Sequence, residues 1–164
     1  MNATPYKIAL HQAVLDALET AVAAIVASQK ATMDGATHAE SKQEGSKDTR
    51  AIEAGYLARG LAERAEALQG TLGRTRKFEP RNFTEDDRVS VGAAVELEDA
   101  AGTSRHVYLL PSGGGMSVEI EGQSIAVVTP KSPLGAALVG REVGDEFEFR
   151  TPRSTRRYEV CGIR

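Results

Sequence analysis

The chain has 164 residues, 41% hydrophobic and 26% charged, with a formal net charge of −3. That balance suits one compact domain or two small ones and excludes a wholly disordered chain. A slightly negative chain lacks the net basic face that grips a DNA backbone, so no sequence-specific DNA binding is expected. The first residues, Met1 to Pro5, have neither the charged segment nor the apolar run of a signal peptide. The longest unbroken apolar run, Ala21 to Ala27, falls well short of the ~20 residues that cross a bilayer. A cytoplasmic protein with no membrane partner is expected. Cys161 is the single cysteine, which excludes an internal disulfide and a cysteine-based zinc site.

From about Ile8 to Leu72 the chain is rich in Ala, Leu, Glu, Gln and Arg, all strong helix formers. Leu15, Leu18, Val22 and Ile25 follow a three-four-three spacing, the seam of a coiled coil. Ala51, Ala54, Ala58, Leu61, Ala65, Leu68 and Leu72 continue that alternation, and their alanines let two helices approach closely. Between the two seams, Asp34 to Ser46 contains two glycines and several small polar residues, as a turn does. Two long helices with a short connection pack antiparallel, which predicts a hairpin with its tip between Asp34 and Ser46. Gly73 to Thr84 reads as a basic connector carrying Arg74, Arg76, Lys77 and Arg81.

From Arg88 onward the period changes to two, with Val, Ile, Phe and Tyr enriched. The expected strands are Val89 to Leu97, His106 to Leu110, Met116 to Ile120, Ile125 to Val128, Glu146 to Arg150 and Arg157 to Ile163. Ser112 to Gly115 reads as a hairpin connection, since it lacks the lysine and following helix of a phosphate-binding loop. Cys161 lies in an apolar strand pattern and is expected in the core. Ser132-Pro133 opens a short helix to Leu138, because proline at the first helical position forfeits no bond. The fold class is therefore α+β: an N-terminal antiparallel helical hairpin over residues 1–78 and a small sheet domain with one short helix over 79–164.

The run Val128-Thr129-Pro130-Lys131-Ser132-Pro133-Leu134-Gly135-Ala136-Ala137-Leu138-Val139-Gly140-Arg141-Glu142-Val143-Gly144-Asp145-Glu146 resembles the signature of the GreA/GreB transcription elongation factors. Gly92 to Leu97 resembles the first strand of that family's C-terminal domain. The resemblance implies a coiled coil followed by an FKBP-like domain. It implies docking of that domain at the rim of the bacterial RNA polymerase secondary channel, with Ser132, Pro133, Leu134 and Gly135 as docking candidates. The hairpin would reach down the channel towards the nascent RNA 3′ end. Acidic residues at its tip would help the polymerase cleave backtracked RNA, so the factor is not itself the enzyme.

Cleaving a phosphodiester with two metals sets one cation on the attacking oxygen and one on the leaving oxygen. Magnesium takes one or two carboxylates beside waters and phosphate oxygens, so a partner can deliver them on a stalk. The tip candidates are Asp34, Glu40 and Glu44. Asp34 and Glu40 would hold a Mg2+ transiently shared with the polymerase, and no cofactor is bound stably. The family's cleaving members carry an aspartate, two residues, then Glu-Asn-Ala-Glu-Tyr. Aligned here, Glu40 takes the glutamate's place, Ser41 the asparagine's, and Thr37 the aspartate's. That departure keeps open a non-cleaving regulator occupying the same channel.

Arg74, Arg76 and Lys77 are candidates for steering the RNA end by charge, the alternative being a solvated linker. His11, His38 and His106 lack ligand spacing, so no metal site is expected on them. A peptidyl-prolyl isomerase would need an aromatic-lined pocket, whereas Phe147 and Phe149 alternate onto one strand face as core residues do. A plain coiled-coil module with another partner would leave the Ser132 to Glu146 pattern unexplained.

Overall fold

The computed structural model describes residues 3–40, 47–152 and 154–164; the side chains of helical residues 36–40, 47, 48, 50 and 51 lie outside that description. Helix α1 spans Pro5–Glu40 and helix α2 spans Lys47–Lys77. Thr4 starts α1: its carbonyl accepts from the Ile8 amide at 3.0 Å and its hydroxyl oxygen accepts from the Lys7 amide at 3.3 Å. The helix therefore begins earlier than the apolar pattern at Ile8, with Pro5 in the first turn.

Of the stretch expected to hold the tip, residues 34–40 are helical, because α1 runs on through Gly35 to Glu40, and residues 41–46 lie outside the described residues. A glycine inside a helix costs about 1 kcal/mol, too little to break one by itself. The basic connector is corrected likewise. Gly73 to Lys77 is the end of α2, and Arg74, Arg76 and Lys77 form its last turn, where positive charge complements the helix dipole.

The described chain divides into two compact units, residues 17–73 and residues 1–16 together with 74–164. The root of α1 thus groups with residues 74–164. Within 17–73 the helices form the hairpin along the expected seam. Leu18, Ala65 and Leu72 are buried, and Val22, Ile25, Ala54, Ala58, Leu61 and Leu68 are half-buried.

The other unit holds six strands: β1 Ala94–Asp99, β2 Ser104–Leu109, β3 Ser117–Ile120, β4 Gln123–Val128, β5 Glu146–Thr151 and β6 Ser154–Ile163, with α3 at Pro133–Leu138. Their order in the sheet is β3-β4-β2-β1-β6-β5. All neighbours are antiparallel except β2 and β4, which run parallel with His106 opposite Ile125 and Leu109 opposite Val128. Ser112 to Gly115 is therefore not a hairpin connection. It carries the chain past β4's place in the sheet to β3, with Gly113 and Gly115 at φ of 85° and 92°, a backbone that favours glycine. Val89 also stands outside β1; its amide donates to the Arg141 carbonyl and its carbonyl accepts from Gly140, both at 2.8 Å.

Leu97, Val107, Leu109, Val160, Leu138 and Phe147 lie in the core, with α3 packed against β5. A register shift separates Glu96 opposite Gly162 from Leu97 opposite Val160. Cys161 is the extra residue of that bulge. It is exposed rather than buried, and partial desolvation, followed by the charges of Glu159, Glu98 and Glu96, holds its thiol above the ordinary range.

By length and composition alone, the stretch Pro5–Gly35 of α1 is apolar enough to cross a membrane. An unbroken apolar run understates such a helix, because scattered Gln, Ser and Thr residues interrupt the run without making it strongly polar. A core helix passes the same test, and Lys7, Leu10, His11 and Val14 at its root are buried.

Candidate functional site

Three places carry the polar chemistry, and the tip of the hairpin is the first. Asp34 is exposed on α1. The side chains of Thr37 and Glu40 lie outside the described residues, as do Ser41 and Glu44 altogether. Among the described residues no group of three His, Cys, Asp or Glu side chains is placed to hold a metal.

The second place is the root of α1, which sequence reasoning passed over. Lys7 is fully buried, and its Nζ donates to the Gly92 carbonyl at 2.6 Å and to the Arg164 carbonyl. Its ammonium also lies 5.1 Å from the Phe83 ring centroid and 5.3 Å from that of Tyr108. Carbonyls and ring faces soften the loss of water, yet burial, aided by Arg81, still lowers its pKa to about 7. His11 donates from Nε2 to the Thr75 carbonyl at 3.1 Å, which leaves Nδ1 to accept from the Tyr108 hydroxyl at 3.4 Å. Burial lowers the pKa of His11 and raises that of Tyr108. Thr75 and Ser112 hydroxyls meet at 3.3 Å. No local spacing signals this network, because its bonds link residues 37 to 157 apart in sequence. Arg74, Arg76 and Lys77 lie beside buried Thr75 but are themselves exposed.

The third place is a groove of about 570 Å3 on the C-terminal unit, walled by Met116, Val127, Leu134 and Phe149 and bordered by Arg105 and Ser132. Its lining includes Ser132, Pro133 and Leu134 of the expected docking quartet but not Gly135, and the four residues differ in role. The Ser132 hydroxyl donates to the Thr129 carbonyl at 2.8 Å and accepts from the Gly135 amide at 3.1 Å, so it caps α3. Leu134 and Gly135 are buried, and a Cβ on Gly135 would fall 1.9 Å from the Thr129 oxygen. Pro133 is the exposed member. Arg105 was not singled out from sequence, since its place on the groove follows from strand register alone.

A helical hairpin joined to a mixed six-stranded sheet with one short helix and an open groove defines the class of protein. Residues 84–164 match the family model described as "Transcription elongation factor, GreA/GreB, C-term". Over these residues, just under half of its length, the chain is similar to the C-terminal domain of the GreA/GreB family.

Relatives named transcription elongation factor GreA include that of Polaromonas naphthalenivorans (strain CJ2), 29% identical over 105 residues, covering 61% of this chain and 60% of the relative. The GreA of Syntrophus aciditrophicus (strain SB) is 37% identical over 78 residues, covering 48% and 45%. That of Acinetobacter baumannii (strain SDF) is 25% identical over 127 residues, covering 76% and 77%. The match thus spans 60% of the length of the first of these curated relatives. Among solved structures, the GreA factor homolog 1 (Gfh1) protein of Thermus thermophilus is 21% identical, with a TM-score of 0.40 and coverage of 93% and 95%.

Proposed function

We propose that this protein is a transcription elongation factor that binds RNA polymerase. Its C-terminal domain seats at the rim of the secondary channel and its hairpin passes inward towards the nascent RNA 3′ end. The observation that carries this reading is the family match over residues 84–164 in a chain whose other half is a helical hairpin. It acts in the cytoplasm, on the polymerase's own active site, and is not itself the nuclease. Arg74, Arg76 and Lys77, at the end of α2, contribute positive charge near the RNA path.

Two readings of the tip follow. In the first the factor stimulates cleavage of backtracked RNA, with Glu40 and Asp34 bringing carboxylates to a Mg2+ that the polymerase holds. Magnesium would supply Lewis acidity there. In the second reading the factor occupies the channel and regulates without cleavage. Thr37 at the aspartate's place favours this second reading.

RNA cleavage in stalled, backtracked polymerase complexes tests both. Acceleration that Glu40→Ala together with Asp34→Ala abolishes makes the protein a cleavage factor whose tip carries the metal. Unaltered cleavage with the factor bound makes it a regulator. Absence of binding to the polymerase sinks the docking reading.

A further inference from the structure

Arg105 differs from four other arginines of its domain. Arg88, Arg150, Arg157 and Arg164 each have a carboxylate within reach, at 2.7 Å from Glu142, 3.0 Å from Glu148, 3.7 Å from Glu146 and 3.7 Å from Glu96. Among the described residues Arg105 has neither an ion pair nor a side-chain hydrogen bond. Strand register explains its position. Arg105 lies opposite Leu97, whose side chain is fully buried, so it occupies the core face of the sheet at its rim.

Asp99 is two residues beyond Leu97 on β1 and could have been its partner. The Asp99 carboxylate instead accepts from the amides of Ala101 and Thr103, both at 2.9 Å, and the guanidinium that acts on it is that of Arg156. Arg105 therefore borders the groove as a half-buried cation beside the apolar surfaces of Met116, Val127, Leu134 and Phe149. A partly desolvated guanidinium without a partner gains strongly from a carboxylate, which it can grip with two parallel N–H groups. The Ser132 hydroxyl does not compete for that carboxylate, since the cap of α3 uses it.

We infer that this groove takes a protein segment presenting an acidic side chain next to a bulky apolar one, the acid on Arg105 and the apolar group among Met116, Leu134 and Phe149. A nucleic acid is the poorer fit, because it asks for a row of cations along a backbone rather than one cation over an apolar floor. The volume is that of a side-chain or small-ligand pocket, within the usual range of about 300–1,000 Å3. The inference rests on the docking reading, with the segment belonging to RNA polymerase, and it makes Arg105 the residue that selects it.

The test measures the affinity of the full chain for core RNA polymerase at two salt concentrations, for the wild type and for Arg105→Gln, Arg105→Lys and Arg105→Glu. Loss of one partner from a desolvated charge pair is expected to weaken binding by about 10- to 100-fold for Arg105→Gln. Arg105→Glu should weaken it further, Arg105→Lys should restore some of the loss, and the salt dependence should flatten in Arg105→Gln. A photo-crosslinker placed at Met116 in the otherwise native chain should capture a polymerase segment containing Asp or Glu beside an apolar residue. That arm also decides the matter if an Arg105 variant fails to fold. Tight wild-type binding with unchanged Arg105 variants, or a captured segment without an acid, overturns the inference and leaves docking intact. A wild type that does not bind polymerase overturns both.

Discussion

Helix α1 contains two stretches of similar composition and opposite fate. In residues 5–16, Lys7, Leu10, His11 and Val14 are buried, and hydrogen bonds tie the stretch to Thr75, Gly92, Tyr108 and Arg164. In residues 17–35, Leu18 is buried, but Val26 is 44% and Met33 55% exposed. Helix-forming residues decide in both stretches that a helix forms. What the helix buries is decided by the elements beside it: a sheet for the root, and a single neighbouring helix for the outer stretch. A sheet with two packed faces removes whole side chains from water, whereas a two-helix seam covers one stripe.

The largest effect expected from this difference is in core truncation. Leu97→Ala, in the fully buried sheet core, should lose about 3–4 kcal/mol from transfer and cavity terms together. Leu61→Ala, half-buried on the hairpin seam, should lose about 1–2 kcal/mol, since less area leaves water and the site relaxes more easily. Chemical denaturation combined with amide hydrogen exchange separates the two units. Equal losses would mean that the hairpin is held by more than its stripe.

The next effect is in pH. Lys7 folds with its pKa lowered to about 7 from 10.5, so between those values the unfolded chain binds more protons than the folded one. Stability from this group therefore rises as pH increases from 7 towards 10.5, by at most ~1.4 kcal/mol per pH unit. Below pH 7 the desolvation cost of the charged amine is fully present. The lowered pKa of His11 has the same sign in its own, more acidic window. Other groups titrate as well, so the relevant quantity is the difference between wild type and Lys7→Met, which should slope across pH 7–10. Parallel curves would mean that Lys7 keeps its charge throughout. The sheet unit would then tolerate a buried cation on carbonyls and aromatic faces alone.

Much of the fold was legible because alternation is a local signal. All six strands and α3 announced themselves through period two, turn residues and the Ser132-Pro133 start. Strand order was not legible, since the parallel pairing of β2 with β4 joins residues with β3 between them in the chain. Cys161 was misplaced because a bulge shifts the alternation by one residue, and a bulge is set by the partner strand. At the groove the Ser132 cap could be read, while Arg105 needed the register opposite Leu97 to show which face it occupies. The root network was invisible for the same reason: a lysine in the first turn of a helix ordinarily reads as solvated.

The smallest effect concerns glycine and has the opposite sign. Gly60 lies inside α2 with nothing within 4 Å of the position a Cβ would take. Gly60→Ala therefore meets no clash, keeps a helical backbone that alanine adopts freely, and reduces the entropy of the unfolded chain. It should gain about 0.5–1 kcal/mol, seen as slower amide exchange along α2 with the sheet unit unchanged. Gly92, in the sheet unit, sits at φ 98° with the Phe78 ring 3.1 Å from a would-be Cβ. The same substitution there forces alanine into a left-handed backbone and should cost ~1 kcal/mol or more. If Gly60→Ala were instead destabilising, the hairpin would need the glycine for a close approach that its open surroundings do not suggest. The contrast between a loosely covered hairpin and a tightly packed sheet unit would then have to be withdrawn.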